Sequence, residues 1–306
     1  PNISSASKKL GGERLGNLNF SEFLPVYIKK LSNKLEVDLK ELKKINEDAY
    51  RLAGIEIPEK RAFVGEKAFS HKAGVHIDAQ KKGASYEHEN PEDFGNKRTI
   101  LLNSFGGRSS IISLAEEFGY KLNKDNPEVI EKIKELFKEL KEYEIAGYNI
   151  GSLKAEHFLL FEKYFGELNS GKKIFAFDVV EWEIKSEFKN RKEISKFRVV
   201  CRVNSEVIEE EMSVEGGPVD AAFKTLKNIL LKRYPEIEEL NISDFHVSIA
   251  RQRSEESSVR TRIDFANKLE FSCVGVDKNM LGSAIEALEK GFRYYLLDLM
   301  KEQKEG

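Results

Sequence analysis

Apolar positions in the first half of the chain recur at intervals of three and four, the period of an amphipathic helix. Phe20, Leu24, Ile28 and Leu31 share one face of a helix that Ser21 can cap. Pro25 is read into its first turn, where a missing N–H costs little. A second helix runs from about Leu39 and turns Leu39, Leu42, Ile45, Ala49 and Leu52 inward, ending at Ala53-Gly54 and Pro58. The stretch from Phe63 to Gly107 has no single period; it reads as a short helix over Lys72–Lys81, irregular chain and a short strand over Thr99–Leu102. Helices follow at about Ser110–Phe118, Pro127–Tyr143 and Leu153–Phe165. In the middle one Asn126 is the N-cap and Val129, Ile130, Ile133, Phe137 and Leu140 point inward.

At Asn169-Ser170-Gly171 the period changes from helical to alternating. Ile174, Val180, Trp182 and Ile184 begin a strand region, Phe197, Val199, Cys201 and Val203 alternate cleanly, and Val207–Val214 returns after an Asn204-Ser205 turn. A helix from Pro218 presents Ala222, Leu226, Ile229 and Leu230 on one face. The order then recurs. Phe245, Val247 and Ile249 alternate, as do Val259, Ile263 and Phe265; Leu269–Val276 is a third strand, and a long helix from Asn279 presents Leu281, Ile285, Leu288, Phe292, Tyr295 and Leu299. The expected fold class is therefore α+β, a mostly helical front half followed by two βββα units. Aligning the strand–helix junctions Gly216-Gly217-Pro218-Val219-Asp220 and Gly275-Val276-Asp277-Lys278-Asn279 on their glycines sets the units 275 − 216 = 59 residues apart.

Composition narrows the function classes. The 306 residues, 40% hydrophobic, suffice for two domains at roughly 100–200 residues each. Lys+Arg 50 against Asp+Glu 52 leaves a net charge of −2, which gives no broad electrostatic case for nucleic acid or a membrane surface as partner. No apolar stretch approaches the roughly 20 residues of a membrane helix. Cys201 and Cys273 are the only cysteines, too few for a disulfide framework or a cysteine-built zinc site, so a cytoplasmic, reducing compartment is the simplest expectation. The chain opens on Pro1, not Met, and is expected to be a piece of a longer protein.

The residue types suited to chemistry cluster around His76, Asp78 and Tyr86. A histidine can move a proton near neutral pH, a neighbouring carboxylate can fix its tautomer, and a tyrosine can donate to a developing oxyanion. Spacing alone leaves open the alternative that these are surface groups or satisfied core groups, and His71 rivals His76 for any such role. Asn17, in a glycine-rich loop, can offer one oxygen to a metal but cannot hold one alone. The two repeat junctions can each aim helix N-terminal N–H groups at a carboxylate, through Gly217, Pro218, Val219 and Asp220 or through Gly275 and Asn279. Their glycines can equally serve only to make tight turns.

Several ordered motifs carry a resemblance. Gly12-Glu13-Arg14-Leu15-Gly16-Asn17 resembles the last barrel loop of the acetyl-CoA-dependent aldol-type synthases, the 2-isopropylmalate, homocitrate and citramalate synthases. Phe69-Ser70-His71-Lys72-Ala73-Gly74-Val75-His76-Ile77-Asp78 is similar to the segment just after that barrel. Tyr86-Glu87-His88-Glu89-Asn90-Pro91-Glu92 and Ser104-Phe105-Gly106-Gly107-Arg108-Ser109 resemble the next two family motifs. Gly147-Tyr148 with Ala155-Glu156-His157-Phe158 is most similar to the citramalate synthase branch, and the two-unit repeat resembles the family's regulatory domain.

The resemblance implies residues 1–35 as the end of a TIM barrel otherwise absent, 36–170 as helical connector subdomains, and 171–306 as a regulatory domain that forms a homodimer and binds a branched-chain amino acid effector. It implies that His76 enters the barrel site of a partner subunit, with Asp78 orienting it and Tyr86 beside it. Asn17 would be one ligand of a divalent metal (Zn, Mn or Mg), and acetyl-CoA the co-substrate. The implied reaction is acetyl-CoA plus pyruvate to citramalate; the alternatives are 2-isopropylmalate synthesis or an amino-acid-binding module without a catalytic role. Three departures stand out. Residues 2–9 are not an apolar strand, Leu18 follows Asn17 where the family favours a small residue, and the family's aspartate and His-x-His ligands are missing, so this segment alone is expected not to turn over.

Overall fold

The computed structural model describes residues 18–31, 35–53, 58–71, 89–97, 99–100, 102, 104, 106–170, 175–251, 257–266 and 270–305. The chain divides into two compact units, 1–111 and 112–306. The short helix expected over Lys72–Lys81 lies outside the described residues.

In the first unit α1 (Phe20–Val26) is capped by Asn19, whose side chain accepts from the Ser21 N–H; Ser21 itself is buried inside the helix rather than capping it. Pro25 sits in the last turn, not the first. Its ring excludes a regular continuation against the carbonyl four residues back, and the chain widens into a π turn at Tyr27–Leu31. Leu24 is buried, but Phe20 and Leu31 are exposed, so the expected four-residue face is only partly covered.

α2 (Leu42–Leu52) follows a 3-10 turn at Leu39–Glu41. The turn's three-residue period puts Leu39 and Leu42 on one side; the α-helix then continues that side as Asn46 and Tyr50. Ile45 and Leu52, expected inside, are therefore exposed, Leu52 at 90%. Leu24, Leu39, Leu42, Val64 and Phe94 make the core of this unit. Asn96 braces it, donating from Nδ2 to the Phe63 and Gly65 carbonyls at 3.0 and 2.9 Å. β1 (Ser70–His71) pairs in parallel with β2 (Thr99–Ile100), a shorter strand than Thr99–Leu102.

α3 (Arg108–Glu117) leads into the second unit, where α4 (Pro127–Ala146) and α5 (Lys154–Ser170) follow. Asn126 caps α4 as expected, accepting from the Glu128 N–H at 2.9 Å. The buried face of α4 is Val129, Ile133, Leu136 and Leu140, while Ile130 and Phe137, expected inside, are half-buried.

Two antiparallel sheets follow: β3 (Phe177–Lys189), β4 (Lys192–Val203) and β5 (Glu206–Glu215), then β6 (Asn241–Arg251), β7 (Ser258–Ala266) and β8 (Phe271–Asp277), each in sequence order. A helix closes each unit, α6 (Pro218–Leu231) and α7 (Met280–Glu305). A β-bulge between Val179 and Glu181 keeps both Val179 and Trp182 opposite core residues of β4 and throws Val180 out to 55% exposure, which corrects the simple alternation read through it. The helix starts lie 280 − 218 = 62 residues apart rather than 59, because Gly216 follows its strand whereas Gly275 lies within β8.

α6 packs on β4 and β5, and α7 on β7 and β8, while α5 touches β8 and α7. Phe197, Val199, Cys201, Leu226, Ile263, Phe265, Leu288 and Phe292 are among the fully buried residues of this shared core. Each side chain of that size contributes roughly 1.5–3 kcal/mol on burial.

Candidate functional site

The two helix starts proposed as carboxylate sites differ in chemistry. At α6 the N-cap is Gly217, in extended conformation with no side-chain cap, and a Cβ placed there would meet nothing within 4 Å. Pro218 and Val219 open the helix, and Asp220 sits in its first turn, paired with Lys224 at 2.7 Å. At α7 two of the N–H donors are already taken by side chains. Asp277 accepts from the Asn279 N–H at 2.6 Å, and Asn279 accepts from the Leu281 N–H at 2.8 Å. Gly275 is buried in β8, and a Cβ on it would overlap the Ser283 carbonyl oxygen. Its lack of a side chain lets α7 lie directly on the strand. His76, Asp78, Tyr86 and Asn17 lie outside the described residues.

A second constellation, which periodicity did not single out, is built where α5 meets β8 and α7. β8 is an edge strand, so alternate residues point N–H and C=O groups away from β7. Side chains satisfy them. Glu156 of α5 accepts from the Val274 N–H at 2.7 Å, Lys290 donates to the Val274 carbonyl at 2.8 Å, and Glu286 accepts from the Val276 N–H at 2.8 Å. Lys290 Nζ also lies 3.3 Å from Glu156 Oε2 and 2.9 Å from Glu286 Oε1. Tyr148 donates to Glu286 at 2.6 Å, and its ring, stacked on Tyr143, lies under the Lys290 ammonium at 4.5 Å.

Burial pushes the Glu156 pKa up, with Lys290 acting against it. Burial acts to lower that of Lys290, but Glu156 and Glu286 more than offset this and the ammonium ends above its ordinary range.

α7 treats the other sheet in the same way. Glu289 accepts from the Val179 N–H at 2.9 Å, and Arg293 donates from Nε to the Phe177 carbonyl at 3.1 Å while pairing with Asp178 and Glu289. Two Glu/base pairs at i,i+4, Glu286/Lys290 and Glu289/Arg293, thus fill the free edges of β8 and β3. Their spacing is visible in the sequence, but the same spacing marks any solvated helix face, so nothing in it distinguished them.

The turn that carries Tyr148 is fixed to the second sheet as well. Gly147 has φ +94°, a Cβ there would stand 2.7 Å from the Ala250 carbonyl oxygen, and Arg260 donates to the Gly147 carbonyl at 3.1 Å. Beside Glu156, His157 is buried with Nε2 2.9 Å from the Ile150 carbonyl, and burial lowers its pKa to about 4.

Among the described residues no group of three or more His, Cys, Asp or Glu is placed to hold a metal ion. Among them, too, no helix is long and apolar enough to cross a membrane.

Two family models match in order: the homocitrate synthase post-HMGL domain-like model over residues 63–142, and the LeuA allosteric (dimerisation) domain over 154–296. The second begins at α5 and takes in both βββα units up to Leu296 within α7. The chain is 34% identical over 305 residues to an (R)-citramalate synthase of Aquifex aeolicus, covering 96% of this chain and 55% of the relative. It is 30% identical over 291 residues to that of Geobacter sulfurreducens, covering 93% and 53%. A 2-isopropylmalate synthase of Staphylococcus epidermidis aligns at 26% over 301 residues, covering 96% and 54%. The chain spans about half the length of the curated relatives it matches. The chain has an α+β fold whose residues 154–296 match the LeuA allosteric (dimerisation) domain model, and it resembles the C-terminal part of the citramalate synthase and 2-isopropylmalate synthase family.

Proposed function

We propose that this chain is the connector and allosteric regulatory part of a citramalate synthase-like acyltransferase, which joins acetyl-CoA to pyruvate on the route to isoleucine and is feedback-controlled by a branched-chain amino acid. The observation that carries this reading is the match of an allosteric domain model to α5 and a pair of βββα units, with Glu156 of α5 held on β8. Identities of 34% and 30% to two citramalate synthases, against 26% to an isopropylmalate synthase, favour citramalate as product. In such an enzyme His76, oriented by Asp78 and flanked by Tyr86, would serve a barrel site, and Asn17 would be one ligand of its divalent metal.

The effector's carboxylate is best received at the start of α6, because Gly217 leaves that end without a side-chain cap while Asp277 and Asn279 occupy the start of α7. Titration calorimetry of this chain with isoleucine and with leucine is expected to give saturable heat with one of them, abolished by excess of that ligand in the cell. Heat with leucine alone would move the reading to isopropylmalate synthesis, and silence with both would end the sensing claim.

The partner we propose is a second copy of the chain. On β6, an edge strand, Phe245, Val247 and Ile249 share one face and are 38%, 37% and 57% exposed. These residues stand opposite Ile263, Thr261 and Val259 of β7, on the side that α7 covers over β7 and β8. An apolar stripe on an open edge is suited to burial against an equal stripe. Sedimentation equilibrium is expected to give twice the chain mass for the wild type and the single-chain mass for Val247→Asp. A wild-type monomer, or an undiminished dimer in the variant, would overturn the assignment to this strand.

A further inference from the structure

We propose that Glu156 and Lys290, with Glu286, form a clasp that makes the α4–α5 hairpin part of the second sheet, and that this clasp is the route by which occupancy of the regulatory domain is felt in the connector. The second half of that statement rests on the regulatory reading above; the first half stands on geometry alone.

Three side chains replace a missing fourth strand along the outer edge of β8, taking the Val274 N–H, the Val274 carbonyl and the Val276 N–H. Glu156 is the one that comes from α5, outside the two βββα units, and its side chain is 2% exposed. Glu156 cannot withdraw from the Val274 N–H without stranding a buried carboxylate and a backbone donor, while Lys290 would keep Glu286 and the Val274 carbonyl. Such a contact has two settings, closed or broken, rather than a continuum. The turn between α4 and α5 is attached twice more, by Arg260 of β7 to the Gly147 carbonyl and by Tyr148 to Glu286 of α7. All three attachments converge on the second sheet and its helix. β8 also carries Asp277, which with Asn279 caps α7, so a shift of that helix start or of α7 moves the groups that Glu156 and Lys290 hold, and α6 reaches them only through its packing on α7.

Amide hydrogen exchange on the intact chain, read residue by residue, tests the clasp without any ligand. In the wild type the amides of Phe158–Phe165 in α5 and those of Val274 and Val276 are expected to exchange with one common protection. Glu156→Gln should speed exchange in Phe158–Phe165 on the order of tenfold while leaving Thr261–Phe265 of β7 unchanged. Glu289→Gln, a change on the same helix at the β3 edge, serves as the matched control and should leave α5 untouched. No change in α5 with Glu156→Gln, or an equal loss across α5 and β7, would overturn the clasp. Adding isoleucine or leucine, whichever binds, should slow exchange in α5 of the wild type and not of Glu156→Gln; equal slowing in both would overturn the relay. If neither amino acid gives heat with the wild type, the regulatory reading and the relay fall together, while the ligand-free exchange still decides the clasp.

Discussion

Replacing Lys290 by methionine is expected to lower the unfolding free energy by about 3–5 kcal/mol at pH 7.5. The cause is the carboxylate it leaves behind. Glu156 is buried and would lose its only salt-bridge partner among the described residues, and Glu286 would lose the same ammonium. Methionine fills the stem volume, so the loss would report charge and hydrogen bonding rather than a cavity. Urea denaturation followed through Trp182, the single tryptophan, is a direct measurement, because this side chain packs on the shared core of the second unit.

Two features of the result would identify the mechanism. The loss should shrink toward acidic pH, because a Glu156 carboxyl already pushed upward by burial is neutralised more readily than an exposed one. The double change Glu156→Gln with Lys290→Met keeps an acceptor for the Val274 N–H and should recover at least half of the loss. A single-variant cost under about 1 kcal/mol would mean that the lysine and glutamate gain nothing from each other, as exposed pairs often do.

The second large effect belongs to His157 and to pH. Its folded-state pKa of about 4 lies below the ordinary 6.5, so the unfolded chain binds the extra proton first as pH falls. Stability is therefore intact above about pH 6.5 and drains away between 6.5 and 4, by up to about 1.4 kcal/mol per unit. Between pH 7.5 and pH 5 this amounts to about 2 kcal/mol. Glu156 and Glu289, whose pKa values burial raises, act with the opposite sign in acid, so the informative quantity is a difference between proteins. His157→Gln keeps an N–H for the Ile150 carbonyl and removes the titration. The loss of stability from pH 7.5 to pH 5 should be about 2 kcal/mol smaller in the variant than in the wild type. Equal losses would show that His157 protonates in place, with room for water beside it.

Much of the fold was legible because one face of each element is buried against one partner. The alternation of Phe197, Val199, Cys201 and Val203 became a strand with every one of those residues inside, and Leu226, Ile229 and Leu230 became the inner face of α6. The pattern failed where the local period changed within an element. A 3-10 turn before α2 rotated Ile45 and Leu52 outward, and a bulge in β3 did the same to Val180. On β6 the pattern was right but the burial was not. Phe245, Val247 and Ile249 alternate as an inner face should, yet α7 covers the neighbouring strands instead.

The candidate chemistry divides in the same way. Gly217 and Asp220 could be located as a helix start from the sequence, since Gly-Pro followed by an apolar helical period is a local signal. That the start of α7 is occupied by its own Asp277 and Asn279, and that Gly275 serves a close approach inside a strand, required the register of strand on helix.

The sequence by itself determined the α+β class, the repeat of three strands and a helix, and the family resemblance. Each of these follows from residues close together in the chain, through periods of two and 3.6 and through short motifs. Only the tertiary structure decided which charged residues are inside. Glu156 lies 118 residues before Val274 in the chain, and Lys290 looks in sequence like any other base on a helix surface. A charge is buried or solvated according to what folds over it, and the unpaired edge of β8, which gives these charges their partners, exists only once the sheet has formed.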